Sequence, residues 1–255
     1  MITSTSNEKI KHITQLVKSA KARRKEGVFV VEGERIAKEI PQEDLIECFV
    51  SEDYPGSADI RDMFGYDIEP VTVSSSVFMK MSDTKSPQGI LCLCRQRSIS
   101  VEELIASRSD SLKVLVLEGI QDPGNLGTMI RTAEGAGFDA LIADEDTVDV
   151  YNPKVSRSTM GSVFRIPVIY TGDLPAETDK LKRASVTVYA AHLNADKNYR
   201  EETYGRRVAF LIGNEGSGLS DAICEKADRL IKIPMQGKLE SLNAAVAASI
   251  LMYNV

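Results

Sequence analysis

The amino-acid sequence predicts two α/β domains, of which the C-terminal one is built on an open, mostly parallel sheet. Beyond Ser111, short β-branched runs alternate with segments long enough for helices, a pattern typical of parallel sheets covered on both faces. A smaller set of alternating strand-like and helix-like segments fills the front of the chain. The chain has 255 residues, 43% of them hydrophobic, which suffices for two buried cores.

The front domain begins with a predicted amphipathic helix over 8–22. Apolar residues recur there every three or four positions, and Ser6 or Asn7 precedes the segment as a cap. The elements that follow are the strand VFVV after Gly27, a short helix over 35–39, a strand over 45–50 and the strand GILCLC over 89–94. Together these segments predict a compact α/β unit.

A polar stretch, RQRSISVEELIASRSDS, separates this unit from the rest of the chain. Within it, Ser100 and Glu103 have the spacing of a capping box, which predicts a short helix. We therefore predict one domain at 1–96, a linker at 97–110 and a second domain at 111–255.

The second domain is predicted to hold five or six strands in its parallel sheet. The β-branched runs are VLVLE (114–118), ALIA (140–143), RIPVIY (165–170), VTVYAA (186–191), VAFLIG (208–213) and RLIKIP (229–234). Ligands bind outside the carboxyl ends of the strands in such sheets. A functional site is therefore expected in the loops that follow the strands.

Composition excludes several classes of protein. The first residues lack the apolar run of a signal peptide, and no stretch reaches the roughly 18 apolar residues of a membrane span, so we expect a soluble protein of the cytoplasm. The four cysteines lack the C-x-x-C spacing of a zinc or redox site. Cys92 and Cys94 are two residues apart and share one face of a strand, which favours a place in the core.

The charge of the chain is unevenly distributed. The net charge of -6 argues against a protein that grips nucleic acid over its whole surface. Between Lys9 and Lys25, however, there are seven basic residues and no acid. This stripe fits either a phosphate-binding surface or an ordinary solvated helix face, and charge alone leaves the two interpretations open.

The loop after the first strand of the second domain is the first candidate site. Over 121–138 it reads QDPGNLGTMIRTAEGAGF: the Pro-Gly pair at 123–124 forces a turn, and Asn125 is placed to cap the helix that follows. Arg131 lies off the buried face of that helix. The alternative to a functional role is a surface ion pair with Glu134, three residues further on.

Two later loops are equally unusual. After VAFLI comes GNEGSGLS, whose glycines let a ligand approach the backbone, although their order is not that of a dinucleotide site and a plain strand-to-helix turn fits as well. The segment 233–253, IPMQGKLESLNAAVAASILMY, places Ser241 as the predicted cap of a helix of small residues, with Asn243 in its first turn. Taken alone, a capped C-terminal helix is the default interpretation.

In this order on one α/β domain, the three loops resemble the signature motifs of the SpoU/TrmH family of RNA ribose methyltransferases. The match covers 113–255, and the front of the chain is similar to the substrate-binding domain of that family in NEKIKHITQLVKSAKARRKEGVFVVEGERI and in SPQGIL at 86–91. The resemblance implies a deep trefoil knot at the C-terminal end, S-adenosylmethionine bound in a bent form by backbone groups of the knot, and a homodimer. It implies no metal.

Carried over by motif, the resemblance assigns a catalytic group and an S-adenosylmethionine group of residues, and the basic stripe supplies our candidates for contacts with RNA. The catalytic candidates are Asn125, Arg131, Glu215, Ser241 and Asn243, with Arg131 reaching the pocket of the partner subunit. The S-adenosylmethionine candidates are Gly213, Ile233, Met235 and Leu242. The RNA-binding candidates in the basic stripe are Lys9, Lys21, Arg23, Arg24 and Lys25, with Lys154 and Arg157 as helpers. The two histidines, His12 and His192, are far apart in sequence and are expected to be incidental.

The implied reaction is methylation of a ribose 2'-hydroxyl, and the full-length front domain favours large-subunit (23S) ribosomal RNA over transfer RNA by analogy. Two alternatives remain open. One is a non-catalytic RNA-binding or ribosome-assembly protein of the same fold. The other is a nucleotide-binding enzyme that acts on a small molecule, which the glycine order and the basic front domain oppose.

Overall fold

The computed structural model describes residues 1–56 and 60–255. Packing divides the chain into two compact units. The N-terminal unit comprises Met1–Arg97 and Asp149–Phe164, and the C-terminal unit comprises Ser98–Val148 and Arg165–Val255. The segment 149–164 thus belongs to the N-terminal unit although it lies in the middle of the sequence range predicted for the second domain, and 98–110 belongs to the C-terminal unit.

The helices and strands are as follows. The strands are β1 (Val28–Glu32), β2 (Leu45–Ser51), β3 (Val71–Val73), β4 (Ile90–Arg95), β5 (Leu112–Leu117), β6 (Ala140–Asp144), β7 (Val168–Thr171), β8 (Thr187–Ala191), β9 (Lys197–Asn198), β10 (Arg207–Ile212) and β11 (Arg229–Lys232). The helices are α1 (Glu8–Lys18), α2 (Ala20–Glu26), α3 (Glu34–Ala37), α4 (Ile60–Phe64), α5 (Ser75–Met81), α6 (Val101–Ala106), α7 (Pro123–Gly135), α8 (Pro153–Ser158), α9 (Leu174–Arg183), α10 (Asp221–Cys224) and α11 (Ala244–Met252).

The helix predicted over 8–22 is two helices with a break at Ser19. Ser19 has extended backbone angles, and its side chain accepts a hydrogen bond from the Ala22 N–H at 3.2 Å, so it ends α1 and caps α2. Serine favours such a break because its hydroxyl competes with the helical backbone for hydrogen bonds. Asn7, one of the two predicted caps, begins α1 by accepting from the Lys9 N–H.

The N-terminal unit is built on a four-stranded sheet in the order β1-β4-β2-β3, with only β2 and β3 parallel. Cys92 and Cys94 lie on β4 in the core with no exposed surface, as predicted. A hydrogen bond with the Cys48 thiol, together with burial, raises the pKa of Cys92, and burial raises the pKa of Cys94. Both thiols therefore stay protonated and behave as small apolar residues.

Aromatic packing attaches the segment 149–164 to the N-terminal unit. The ring of Phe29 on β1 lies 4.5 Å from that of Tyr151 and 5.7 Å from that of Phe164, measured between centroids. The intervening α8 also packs on β1. These contacts bury aromatic side chains of a segment that was predicted to belong to the second domain.

The C-terminal unit contains a seven-stranded sheet in the order β7-β6-β5-β10-β8-β11-β9, and every adjacent pair is parallel. The predicted parallel α/β architecture is confirmed. The strand beyond the predicted five or six is β9, an edge strand of two residues that is too short to show a hydrophobic pattern. The capping box of Ser100 and Glu103 is also present, at the start of α6.

The strand order brings the functional loops together. β10 lies between β5 and β8, and β11 follows β8, so the carboxyl ends of all four strands meet at one edge of the sheet. Helix α11 packs against α7, the helix that follows β5. Among the described residues, no helix is long and apolar enough to cross a membrane.

Candidate active site

A cavity of about 470 Å³ opens at the carboxyl edge of the sheet in the C-terminal unit. Its walls come from the loops after β8, β10 and β11 and from the start of α11. The predicted S-adenosylmethionine residues Gly213, Ile233, Met235 and Leu242 all line it, as do the predicted catalytic residues Glu215 and Ser241. Six residues from two separate motifs thus line one open cavity, which is hereafter called the loop cavity.

Gly213 is required by the close packing of its own loop. A Cβ at this position would lie 2.3 Å from the carbonyl carbon of Gly218 and 2.4 Å from the backbone nitrogen of Leu219. No side chain fits there, because real Cβ atoms do not approach backbone atoms so closely. The backbone between β10 and α10 therefore forms a tight wall of the loop cavity.

Asn214 holds this loop in place and was not predicted. Its Nδ2 donates to the Gly119 carbonyl at 2.7 Å, and its Oδ1 accepts from the N–H groups of Gly216 at 2.8 Å and Ser217 at 3.2 Å. One side chain therefore ties the loop after β10 to the loop after β5. The only sequence signal is an asparagine directly after a buried strand, beside glycines.

Glu118 and Asp144 support the same region and were also missed. Glu118 accepts hydrogen bonds from the Ser220 N–H at 2.7 Å and from the Ser220 hydroxyl at 2.6 Å. Asp144 accepts from the Gly119 N–H at 3.0 Å. Both carboxylates stand at or just beyond the carboxyl end of a buried strand, and that position was the available signal.

Three predicted catalytic side chains form a continuous hydrogen-bonded chain. Asn125 Nδ2 donates to Glu215 Oε1, and Asn243 Nδ2 donates to Asn125 Oδ1 at 2.9 Å. We call these three residues the amide–carboxylate chain. It joins the loops after β5, β10 and β11, which are far apart in sequence, and it fixes the direction in which the Glu215 carboxylate points.

The predicted caps of α7 and α11 are both wrong. Asp122, not Asn125, caps α7, because Pro123 takes the first helical position and Asp122 accepts from the Asn125 N–H at 2.9 Å. Asn243, not Ser241, caps α11 by accepting from the Ala245 and Val246 N–H groups. The Asn125 side chain is therefore available to bond with Glu215.

Arg131 lies exposed on α7 and does not line the loop cavity of its own chain. The alternative of an ion pair with Glu134 is wrong, because Glu134 binds the Arg165 guanidinium instead, with Arg165 Nη2 at 3.2 Å. Among the described residues, Arg131 has no hydrogen-bond or ion-pair partner. Its guanidinium is therefore available to a group outside this chain.

The RNA-binding candidates have different surroundings in the N-terminal unit. Lys21, Arg24, Lys25 and Lys154 have exposed side chains. Lys9 forms an ion pair with Glu47, and Arg157 forms one with Asp83 at 3.1 Å. Contact of these six residues with RNA stays a prediction.

The predicted phosphate contact is wrong for Arg23. Only 3% of this residue is exposed. Its Nε and Nη2 donate to Asp149 Oδ2 at 3.0 and 2.6 Å, and Nη1 donates to the Leu16 and Val17 carbonyls. Because its guanidinium is enclosed and bonded, Arg23 is a structural residue that joins α2 to the segment 149–164.

The histidines are widely separated. His12 contacts Glu26 at 2.6 Å in the N-terminal unit, whereas His192 lies after β8 on the wall of the loop cavity. In the described parts of the chain, no group of three or more His, Cys, Asp or Glu side chains is arranged to hold a metal ion.

Comparison with known proteins gives two family matches. Residues 113–253 match the SpoU rRNA Methylase family, and residues 7–92 match the MRM3-like substrate binding domain. The chain is 37% identical over 256 residues to the 23S rRNA (guanosine(2553)-2'-O)-methyltransferase RlmP of Bacillus subtilis, covering 100% of this chain and 98% of that protein.

Two solved structures are similar to nearly the whole chain. The crystal structure of an RNA 2'-O ribose methyltransferase is 31% identical with a TM-score of 0.82, and the match covers 99% of this chain and 96% of that one. An AdoMet-bound rRNA methyltransferase from Sinorhizobium meliloti is 29% identical with a TM-score of 0.83, covering 99% and 95%.

Proposed function

The chain belongs to the SpoU rRNA methylase family, and we propose that it transfers a methyl group from S-adenosylmethionine to a ribose 2'-hydroxyl of 23S ribosomal RNA. The observation that carries the proposal is the amide–carboxylate chain, of which Glu215 lines the loop cavity. It brings residues of three loop motifs into direct contact at the edge of the sheet where ligands bind.

The loop cavity has the chemistry that S-adenosylmethionine requires. Ile233, Met235 and Leu242 supply apolar surface for the adenine, and the close-packed loop at Gly213 presents backbone groups for polar contacts. Glu215 and Glu240 outnumber Lys232 on the wall, and this excess of negative charge attracts a cationic ligand. When bound, S-adenosylmethionine supplies a methyl group activated by a sulfonium centre. The volume of about 470 Å³ lies within the range of roughly 300–1,000 Å³ that is usual for ligand pockets.

The protein contributes mainly by positioning. Alignment of a hydroxyl with an activated carbon can lower the barrier by about 7–11 kcal/mol at the limit. The amide–carboxylate chain holds Glu215 in one orientation, and the free guanidinium of Arg131 can grip an RNA phosphate and stabilise the developing alkoxide. The phosphate then takes the hydroxyl proton, or Arg131 does so after first releasing a proton of its own to solvent. An ordinary guanidinium remains protonated, so its main role is electrostatic.

We further propose that the protein works as a homodimer in which Arg131 serves the loop cavity of the partner. Two observations on the C-terminal unit support this. Arg131 has no partner among the described residues of its own chain. Helix α11 carries an outward apolar stripe of Val246, Ile250 and Tyr253, with Val246 47% and Tyr253 67% exposed. A stripe with this spacing suits helix packing between two copies.

A trefoil knot at the C-terminal end is part of the same proposal. After β11 the chain turns back so that α11 packs against α7 and β10, and the loops after β8, β10 and β11 surround one cavity. Such a return of the chain is compatible with threading through the loop after β10. Knots are exceptional in proteins, so the family resemblance is the main argument for this one.

Ribosomal RNA is favoured over transfer RNA as the substrate. The full-length match to a relative named as a 23S rRNA guanosine methyltransferase covers both units, and the N-terminal match is to a substrate-binding domain. The proposed substrate places the enzyme in the cytoplasm. Exposed lysines of the basic stripe, Lys21 and Lys25, would contact phosphates without reading sequence.

Mapping 2'-O-methyl groups across total RNA, with and without the gene, tests the proposal directly. We expect one or a few positions in 23S rRNA to lose their methyl group in the deletion strain and to regain it with the wild-type gene. Complementation with Asn125→Ala provides the matched control, since it should restore the protein but not the methyl group. If methyl groups were lost only from transfer RNA, the substrate would be transfer RNA and not 23S rRNA. If no RNA changed, the proposed activity would be rejected in favour of a non-catalytic protein.

Subunit mixing tests the shared site. If Arg131 serves the partner, mixing inactive Arg131→Ala protein with inactive Glu215→Ala protein should restore partial activity, because a mixed dimer holds one intact site. Light scattering should show a dimer for both variants. No restored activity from a mixture that exchanges subunits would contradict the arrangement.

A further inference from the structure

A second cavity lies within the N-terminal unit. It is an open cavity of about 390 Å³ between the end of β1, the residues that precede β4 and the turn after α8. The side chains on its wall include Glu32, Arg35, Ile36, Gln88, Arg157 and Met160. All of them belong to the N-terminal unit. We call this space the front cavity.

Two guanidinium groups at the front cavity have unused donors. Arg157 Nη2 donates to Asp83 at 3.1 Å, but Arg157 Nη1 is buried and has no hydrogen-bond partner among the described residues. Arg35 is exposed and likewise makes no hydrogen bond or ion pair within the described ranges. Buried donors are nearly always satisfied in proteins. Both arginines line the cavity, and two guanidiniums with unused donors favour a phosphate as the ligand.

The rest of the wall suits a nucleobase. Glu32 is only 8% exposed, and its carboxylate accepts hydrogen bonds from the Ser82 hydroxyl at 2.8 Å and the Thr84 hydroxyl at 2.8 Å, which fixes it as an acceptor. Gln88 Oε1 accepts from the Glu34 N–H at 3.0 Å, so its amide nitrogen remains available as a donor. The edge of an unstacked base needs such fixed donors and acceptors.

Apolar surface for the face of a base comes mainly from Met160, because Ile36 lines the cavity but is only 4% exposed. Met160 is 37% exposed, and its φ of 54° lies in the left-handed region, which is unusual for a residue with a long side chain. Gly161 follows at φ 97°, where a Cβ would lie 2.5 Å from Glu39 Cγ. This turn therefore holds an exposed thioether on the wall of the cavity, and a thioether packs well against aromatic rings.

We propose that the front cavity binds one unstacked nucleotide of the RNA substrate. The base lies against Met160 and Ile36, with N–H groups on its edge donating to Glu32, and the phosphate lies on Arg35 and Arg157. The inference rests on the proposed function, because it presupposes an RNA ligand. It adds a site that grips one nucleotide, apart from the basic stripe that contacts phosphates only.

RNA binding by Arg35→Gln measures the phosphate contact. The probe is a 23S rRNA transcript, titrated with the full-length protein at several salt concentrations. The matched control is Arg95→Gln, since Arg95 is also an exposed, unpaired arginine of the described N-terminal unit but lies outside the cavity. We expect Arg35→Gln to weaken binding about tenfold. We also expect a less steep slope of log K against log salt, by the amount that corresponds to the loss of about one phosphate contact. Equal effects of the two substitutions would overturn the proposal.

Met160→Gly tests the base contact without a folding penalty from the backbone, because glycine readily adopts the left-handed conformation. Ultraviolet crosslinking of the wild-type protein to the transcript, followed by mass spectrometry of peptides, should yield a crosslink at the turn that contains Met160. The crosslink should be lost in Met160→Gly while the melting temperature stays close to that of the wild type. Crosslinks confined to other parts of the chain would exclude a base in this cavity.

Methyl transfer by the wild-type protein distinguishes failure of the front-cavity proposal from failure of the proposed function. If the wild-type protein methylates the transcript but Arg35→Gln binds it normally, the front-cavity proposal fails and the proposed function stands. If the wild-type protein neither binds nor methylates ribosomal RNA, both fail together.

Discussion

Asn243 donates a hydrogen bond to Asn125 across 2.9 Å, although 118 residues separate them in the sequence. The oxygen of the same Asn243 side chain caps α11 by accepting from the Ala245 N–H at 2.9 Å and the Val246 N–H at 3.2 Å. One side chain therefore begins the last helix and also orients Asn125, which in turn donates to Glu215. The start of α11 and the candidate active site are thus built from the same group.

The two roles of Asn243 can be separated by Asn243→Asp. Aspartate caps helices as well as asparagine does, so the free energy of unfolding should change by less than about 0.5 kcal/mol. It cannot donate to Asn125, however, and Glu215 loses its fixed orientation. We expect the methyl-transfer rate to fall about 100-fold, in the range seen when one positioned hydrogen bond is removed from an active site.

Asn254→Asp is the control, because it makes the same charge change on an exposed residue just after α11. Transfer of a radiolabelled methyl group to a 23S rRNA transcript gives the rates, and urea denaturation gives the stabilities. Wild-type turnover by Asn243→Asp would show that the amide–carboxylate chain is not needed for catalysis.

Arg131→Lys keeps the positive charge but removes the planar fork that binds a phosphate through two parallel hydrogen bonds. We expect kcat to fall at least about 100-fold, with the Kd for S-adenosylmethionine nearly unchanged, because the interaction is used in the transition state. Arg206→Lys, at another exposed and unpaired arginine of the described C-terminal unit, serves as the control. If Arg131→Lys turns over at a near-wild-type rate, a point charge suffices and the fork has no special role.

Gly213→Ala places a methyl group where only 2.3 Å is available to the Gly218 carbonyl carbon. The loop after β10 must shift, and overpacking of this kind destabilises a protein by about 1–3 kcal/mol. Since the same loop forms the wall of the loop cavity, calorimetry should show S-adenosylmethionine bound much more weakly. Gly237→Ala is the control, because no atom lies within 4 Å of a Cβ there. Equal affinities of the two variants would mean that the loop is not part of the cosubstrate site.

Lys21→Gln and Lys25→Gln test the basic stripe. Both side chains are exposed and unpaired among the described residues, so the free energy of unfolding should change by less than about 0.5 kcal/mol. If they contact phosphates, the double variant binds RNA more weakly. Its slope of log K against log salt is also less steep, by the amount expected for the loss of about one to two phosphate contacts. An unchanged slope, measured by filter binding, would remove both lysines from the interface.

The parallel sheet was predictable because its strands show local hydrophobic patterns. Its candidate functional edge followed from the rule that ligands bind outside the carboxyl ends of parallel strands, whereas the order of the strands was not predicted. The helix caps were not predictable, because each helix start offers two good capping residues and tertiary contacts decide between them. The choice is between Asp122 and Asn125 for α7, and between Ser241 and Asn243 for α11. Arg23 has the same local sequence context as the lysines beside it. What distinguishes it is Asp149, 126 residues away in a segment that packs with the N-terminal unit. No local pattern reveals such a partner.

Because Arg23 is buried and paired whereas the lysines beside it are exposed, Arg23→Gln should affect stability and not RNA binding. The Arg23 and Asp149 side chains are only 4% and 9% exposed, so removing the guanidinium leaves a buried carboxylate without its partner. Breaking a buried ion pair in this way costs about 3–5 kcal/mol. We therefore expect the midpoint of urea denaturation to fall sharply, whereas the folded variant keeps the wild-type salt dependence of RNA binding. Lys25→Gln is the matched control, with a normal midpoint. A stable Arg23→Gln protein with weakened RNA binding would instead place Arg23 in the interface, against the burial found here.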